Sequence, residues 1–333
     1  MPTRDLVVVG ASAGGVEALT RLAAGLPSDF PAAIVVVLHL PPRGSSALAA
    51  ILDRAGPLRA MPVRHGQLLT HGTIHVAPPD HHTLVMADAL ALSHGPTESG
   101  HRPAVDALFR SAAVSRGPAV TGVQLSGVLD DGVAGLVAIA DRGGRVVVQH
   151  PDDALFPAMP RSALRVVAAD HVAPVAELPG LLGQLVRERV DASVVPAASR
   201  LMRMENEIAA LGESGLDPDR YVLGPASGYS CPDCQGSLAE VQDLARYRCR
   251  TGHSWTAEAL LAAQGSEWER ALWTALRLLE ETACLASRMA DTARARGSDA
   301  VADRHQRRAE ESITAAATLR EHLTSGIGTD DAP

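Results

Sequence analysis

Three polar residues stand at the ends of apolar runs, where a sheet of parallel strands would bring them to one edge. Ser12 follows the run Leu6-Val7-Val8-Val9-Gly10-Ala11 inside a Gly-Ala-Ser-Ala-Gly-Gly turn, and a helical pattern begins at Val16, Ala18, Leu19 and Leu22. His39 follows the run Ala32–Leu38. Asp131 comes after the run ending Gln124-Leu125-Ser126. A serine hydroxyl attacks a carbonyl when a base takes its proton and a carboxylate holds that base. Ser12, His39 and Asp131 are therefore the candidate nucleophile, base and acid. The Ala13 N–H, at the positive end of the following helix, is the candidate donor to the oxyanion. Taken singly, Ser12 can be an N-cap, His39 a loop residue before Pro41-Pro42, and Asp130 and Asp131 caps of the helix starting near Gly132. The glycine-rich turn also invites a dinucleotide reading. Ser12 replaces the middle glycine of that motif, and no acid ends the second strand, so no such cofactor is expected.

A second constellation lies near the other end. Cys231-Pro232-Asp233-Cys234 is followed, after fourteen intervening residues, by Cys249-Arg250-Thr251-Gly252-His253. Three thiolates and one imidazole fill a tetrahedral zinc shell with no open position, which makes a structural rather than a catalytic site. Cys231, Cys234, Cys249 and His253 are the expected ligands, and the metal would supply much of the folding energy of so short a module. Cys284 lies apart and is expected to be a packed thiol. His75, His81, His82 and His101 match no zinc spacing and are read as surface or hairpin residues.

The elements that would position these residues follow from periodicity. Runs at 5–10, 32–38, 119–126 and 144–149 are near-continuous in Val and Ile, as in strands buried on both faces. Helical patterns occupy 15–25, 45–54, 104–115, 132–142 and 175–188. This rhythm predicts a doubly wound, mostly parallel α/β sheet in three layers, with ligands at the carboxyl ends of the strands. Residues 73–77 and 82–86, around Pro78-Pro79-Asp80, read as an antiparallel hairpin at the sheet edge. The expected organisation is a catalytic domain over 1–190, a linker with a short helix over 191–228, a zinc-ribbon-like module over 229–256, a helical hairpin over 257–325 and a disordered tail over 326–333. In the hairpin, Leu272, Leu276 and Leu279 would face Ile313, Ala317 and Leu323. Trp255, Trp268 and Trp273 are expected to fill small cores.

Composition limits the alternatives. The 333 residues are 46% hydrophobic but 3% aromatic, so the core is built from Val, Leu, Ile and Ala. A formal charge of −8 argues against a general nucleic-acid binder. No apolar run approaches the ~18–20 residues of a membrane span, and no secretory signal precedes the first strand. A cytoplasmic location is expected.

Ordered motifs then point to a family. Gly-Ala-Ser-Ala-Gly-Gly-Val-Glu-Ala-Leu, Leu-His-Leu-Pro-Pro, His101-Arg102-Pro103-Ala104-Val105-Asp106-Ala107-Leu108-Phe109, Leu-Ser-Gly-Val-Leu-Asp-Asp-Gly, Gln149 and Phe156-Pro157-Ala158-Met159-Pro160-Arg161 resemble the catalytic domain of the CheB-type chemotaxis protein-glutamate methylesterases over about 5–187. The resemblance implies hydrolysis of glutamate γ-methyl esters on methylated receptor proteins, with release of methanol and often glutamine deamidation. It places the nucleophile at Ser12, the base at His39 and the acid at Asp131. Arg102 and Arg161 are candidates for binding an acidic substrate segment. Ala13 stands where the family usually has Thr, and Val128-Leu129-Asp130 where it often has Met-Gly-Asn. Asp130 would thereby add a charge able to raise the histidine pKa. Typical members carry a receiver domain ahead of the catalytic one. This sequence opens on the catalytic strand, which predicts control other than by phosphorylation in cis. The C-terminal module would then regulate or target the enzyme, and its helices are candidates for pairing two copies. The competing functional reading is a non-catalytic signalling adaptor that uses the zinc module to bind a partner.

Overall fold

The computed structural model describes residues 3–44, 46–191, 196–212, 221, 224–241 and 246–325. In chain order the elements are β1 (Leu6–Ala11), α1 (Gly15–Gly25), β2 (Ala33–Leu38), α2 (Leu48–Ala55), β3 (Arg59–Pro62), β4 (Gln67–Leu68), β5 (Thr73–Val76), β6 (His82–Met86), β7 (Ala89–Ser93) and α3 (Val105–Arg116). Then come β8 (Val120–Gln124), α4 (Val133–Asp141), β9 (Arg145–Gln149), α5 (Ala158–Val166), β10 (His171–Ala173) and α6 (Leu178–Leu185). The C-terminal part holds α7 (Arg200–Ala210), β11 (Ala226–Ser230), β12 (Ser237–Val241), β13 (Arg246–Cys249), β14 (Ser254–Thr256), α8 (Ala257–Ala295) and α9 (Asp299–Thr324).

Seven strands form one sheet in the order β10-β9-β8-β1-β2-β5-β3, and every pairing in it is parallel. Side chains alternate across it, as the pleat requires. Val7, Val9, Ile34 and Val36 pack with Leu19, Leu22, Leu52 and Leu182 of α1, α2 and α6. Leu6, Val8, Val35 and Val37 pack with Leu108, Phe109, Leu136, Ile139 and Met159 of α3, α4 and α5. These are the three layers expected from the strand patterning. From β1 the chain builds outward through β2, then returns to add β8 on the other side. The loops after β1 and β8 therefore meet at the carboxyl edge, where such sheets open a crevice.

The expected hairpin of 73–77 with 82–86 does not form. β5 is a parallel strand between β2 and β3, whereas β6 pairs antiparallel with β7 in a separate small sheet. β5 is buried along its whole length, as a strand covered on both faces must be. Pro78 and Pro79 cannot donate ladder hydrogen bonds. The real turn is Ala87-Asp88, with Ala87 at φ 52°, and it closes the Met86–Ala89 pair. The short helix expected after residue 200 is α7, with Ser199 capping it by accepting the Met202 N–H at 3.0 Å. Much of the expected linker (192–195, 213–220 and 222–223) and the expected tail (326–333) lie outside the described residues.

The chain divides into two compact units, Met1–Leu260 and Leu261–Pro333. The first includes the four-stranded antiparallel sheet β11-β12-β13-β14. In the second, Ala283, Ala286, Ala290 and Ala293 of α8 and Ala302, Ala309, Ser312 and Ala316 of α9 are buried. Leu276 is buried as expected, but Ile313 and Ala317 are exposed. Alanine repeating every seven residues on α9 selects a different inner face, because small side chains let two helix backbones approach closely. Trp268 and Trp273 are also exposed, at 40% and 47%, and Cys284 is exposed, so none of the three is the packed side chain expected. Trp255, in the first unit, is buried.

Candidate active site and metal cluster

Ser12 lies in the turn between β1 and α1. Its N–H donates to Ser126 O at 2.9 Å, and its carbonyl accepts the Gly15 N–H at 2.9 Å. Gly14 takes φ 70°, a left-handed conformation that glycine adopts without steric cost, and the chain turns there into α1. Gly127, on the neighbouring loop, permits the close approach. A Cβ there would sit 1.9 Å from Met159 Sδ and 2.9 Å from Ser12 Cβ. The Ala13 N–H has no backbone hydrogen-bond partner among the described residues.

His39, just past β2, lies with Nδ1 3.2 Å from Ser12 Oγ and Nε2 2.7 Å from Asp131 Oδ2. Residues 27 and 92 positions apart thus form one hydrogen-bonded chain. A carboxylate can only accept, so the Nε2 proton points to Asp131 and Nδ1 is free to accept from Ser12. Asp131 is buried and receives two further bonds, from Val105 N–H to Oδ2 at 2.8 Å and from Asp106 N–H to Oδ1 at 3.0 Å. These are the first amides of α3, whose positive end favours an anion. Burial alone would raise the Asp131 carboxyl. The His39 hydrogen bond and charge, with His101 and the Asp106 amide, hold it well below the usual carboxylate range.

Other groups surround this chain. The His101 ring stacks on His39, with centroids 3.7 Å apart and 11° between planes. Burial, then the neighbouring His39, lowers His101 to about 4, so it is neutral at ordinary pH. Expected as a surface or hairpin residue, it instead lies against the base. Asp130 accepts a hydrogen bond from Thr256 Oγ1 of β14 at 2.8 Å, and burial pushes its carboxyl up to about 6. A cleft of ≈ 410 Å³ opens beside His39, lined by Leu40, Pro41, Pro42, Asp80, Thr97, Gly100, His101 and Arg102. Arg102 is on this wall but already spans Asp80 Oδ1, at 3.0 and 2.7 Å, and Gly95 O at 3.0 Å. Arg161 is exposed on α5. Buried His82 is satisfied by Pro96 O and the Ala104 N–H, at 2.9 and 3.3 Å.

The four expected metal ligands come together. The ligand atoms of Cys231, Cys234, Cys249 and His253 all lie within 4.8 Å of one another. Cys231 Sγ and Cys249 Sγ are 3.7 and 3.5 Å from His253 Nδ1, and Cys234 Sγ is 3.6 Å from Cys249 Sγ. A tetrahedron with metal–sulfur bonds of about 2.3 Å has edges of about 3.8 Å, so the donor set fits a zinc ion. Two tight turns build it. Cys231 N–H bonds Gly236 O and Gln235 N–H bonds Cys231 O, both at 2.8 Å; Cys249 N–H bonds His253 O and Gly252 N–H bonds Cys249 O, both at 3.0 Å. Sequence reasoning missed a buried ionic cluster nearby, formed by Glu98, Arg110, Glu205, Arg246 and Arg248. Its members come from four separate segments, and only their charge at otherwise apolar positions marked them.

A serine, an imidazole and a buried carboxylate in hydrogen-bonded succession, at the carboxyl edge of a parallel sheet, is the arrangement of a serine hydrolase. The family model described as CheB methylesterase matches residues 7–182, and the chain belongs to that family. It is 40% identical over 199 residues to a protein-glutamate methylesterase/protein-glutamine glutaminase of Nocardioides sp., covering 58% of this chain and 54% of that protein. It is 34% identical over 192 residues to one of Methanosarcina mazei, covering 55% and 52%. The chain thus spans about half the length of these curated relatives. The crystal structure of the Thermotoga maritima CheB methylesterase catalytic domain superposes with a TM-score of 0.54 at 31% identity, over 56% of this chain and all of that one. No helix among the described residues is long and apolar enough to cross a membrane.

Proposed function

We propose that this chain is a cytoplasmic serine esterase that hydrolyses glutamate γ-methyl esters on methyl-accepting receptor proteins and deamidates glutamine by the same attack. The observation that carries this is the chain Ser12 Oγ–His39 Nδ1–His39 Nε2–Asp131 Oδ2, at 3.2 and 2.7 Å, in a member of the CheB methylesterase family. Ser12 Oγ attacks the γ-carbonyl carbon while His39 Nδ1 takes its proton. The carbonyl electron pair moves to oxygen, facing the Ala13 N–H. The Nε2 proton stays on His39, and Asp131 accepts its hydrogen bond and stabilises the imidazolium. Collapse of the intermediate breaks the carbon–methoxy bond, and His39 returns its proton to release methanol. Water, deprotonated by His39, then cleaves the glutamyl ester of Ser12. With glutamine the leaving group is ammonia. Arg102, on the cleft wall, and Arg161 would contact an acidic receptor segment.

Zinc held by Cys231, Cys234, Cys249 and His253 would be structural, because the four side chains leave no open position. Its chemistry is to hold the two turns in register. Pairing of two copies would use the C-terminal hairpin, where Leu278, Leu285 and Met289 of α8 are exposed. The test is methanol release from a γ-methyl-esterified receptor peptide. Wild-type protein should release methanol, and Ser12→Ala should lose it while keeping its fold. Full activity in that variant would refute the mechanism.

A further inference from the structure

The N-terminus of α3 supplies two amides to Asp131, and the loop before it supplies the ring stacked on His39. Each is fastened by a buried carboxylate. Asp106, whose N–H bonds Asp131, is 2% exposed, and its Oδ1 accepts the Gly135 N–H at 2.7 Å. Glu98 is also 2% exposed. Its backbone exchanges hydrogen bonds with His101, at 2.9 and 3.2 Å. Glu98 has Arg110 of α3 as a bidentate partner, at 2.5 and 3.1 Å. Asp106 has one cation within 4 Å among the described residues, and it comes from β13 of the C-terminal sheet. Arg246 NH2 lies 3.8 Å from Asp106 Oδ2 and 3.5 Å from Glu98 Oε2, and its NH1 lies 3.4 Å from Glu205 Oε2.

The same sheet reaches the site by a second route. Ser254 N–H of β14 donates to Thr97 O at 3.1 Å, and Ser99 N–H donates to Ser254 O at 2.6 Å, so residues 97–99 add to its edge. Thr256 Oγ1 holds Asp130, the neighbour of Asp131. Buried carboxylates need compensating charge or hydrogen bonds to hold their place. Burial and the neighbouring Asp131 push the Asp106 carboxyl up to about 7, and Arg246, with Arg110 farther off, opposes that rise.

We propose that Arg246 is a positioning residue for the Ser12–His39–Asp131 site. Its guanidinium bridges the two carboxylates whose backbones set the Asp131 amides and the His101–His39 stack. The C-terminal sheet is thereby part of the esterase centre. This rests on the esterase reading above. Arg248 serves as the control, because it pairs with Glu205 at 3.2 and 2.7 Å and has no ion pair with Glu98 or Asp106.

The experiment uses the full chain, with zinc content and Tm measured beside kinetics on the methyl-esterified peptide. The downfield imidazole N–H resonance of His39 gives a readout independent of turnover. Arg246→Gln should lower kcat about 10- to 100-fold, the range for sub-ångström to 1 Å misplacement, with KM little changed. It should also broaden or shift the resonance. Arg246→Lys keeps the charge and should fall between Gln and wild type. Arg248→Gln should lower Tm without moving the resonance. If Arg246→Gln does not fold, Arg246→Lys decides: wild-type kcat and an unchanged resonance would overturn the proposal. So would a Gln variant with wild-type kcat, or a kcat loss that lysine does not restore and that only tracks Tm. A wild-type protein that releases no methanol would sink the esterase reading instead, and the resonance comparison would still judge Arg246.

Discussion

Replacing Asp131 by Asn probes the role of the carboxylate, because the side chain keeps its shape while its charge is lost and one acceptor oxygen becomes an NH2 donor. Asp131 accepts three hydrogen bonds, from His39 Nε2 and Val105 N–H to Oδ2 and from Asp106 N–H to Oδ1. An amide offers one oxygen and one NH2. If its oxygen takes the Oδ2 position, the NH2 faces the Asp106 N–H, donor against donor. If the NH2 takes that position, it opposes Val105 N–H and obliges His39 Nε2 to become an acceptor. The proton then moves to Nδ1, which can no longer accept from Ser12 at 3.2 Å. The wrong tautomer in a serine protease triad costs about 10⁴ in kcat, or about 5.5 kcal/mol of barrier. One unsatisfied buried amide adds about 1–3 kcal/mol of lost stability. Methanol release by Asp131→Asn should therefore fall by up to about 10⁴-fold, the full loss belonging to the inverted tautomer, at a KM close to wild type. A variant within tenfold of wild type would mean that the carboxylate does not hold the base, and the reasoning would fail.

Gly127→Ala places a methyl against Met159 and Ser12, and should lower kcat about 10- to 100-fold without loss of secondary structure by circular dichroism. Asp130, pushed up to about 6 from 3.8, is destabilising where it is ionised. Asp130→Asn should raise Tm at pH 8, with the gain disappearing as pH falls below about 4. Glu205 has the opposite sign. Burial raises it, but Arg248, Arg246 and Arg110 outweigh burial and bring its carboxyl down to about 2. It stabilises the fold above pH 4.5, and that contribution is lost as pH falls toward 2. Acid titration of Tm should show this loss in wild type and not in Glu205→Gln. Elemental analysis should find one zinc per chain, and stripping it with a chelator should lower Tm.

The parts of the molecule legible in the sequence are those set by local pattern. Near-continuous Val and Ile announced β1, β2 and β9, and the glycine-rich turn announced the β1–α1 crossing that carries Ser12. The two cysteine turns were readable from spacing alone, because zinc geometry is local. What the sequence hid depends on partners far along the chain. β5 and β6 looked like one hairpin because alternation does not say which neighbour a strand takes. Ile313 looked like a core residue until the smaller Ala309 and Ala316 were seen to set the inner face of α9. No spacing in the sequence marks Arg246 and Arg248, yet they are buried against Glu98 and Glu205, 148 and 43 residues away. His101 read as a surface or hairpin residue because only the folded loop brings it to His39.

The central claim is that Ser12 is a nucleophile armed by His39, and not a relic in an adaptor. Labelling the chain with a fluorophosphonate, followed by peptide mass spectrometry, is the decisive measurement. The account predicts a single phosphonyl adduct on Ser12, formed slowly in His39→Gln and absent in Ser12→Ala. A protein that hydrolyses the methyl ester yet carries no adduct at Ser12, or carries it on another residue, would contradict the account.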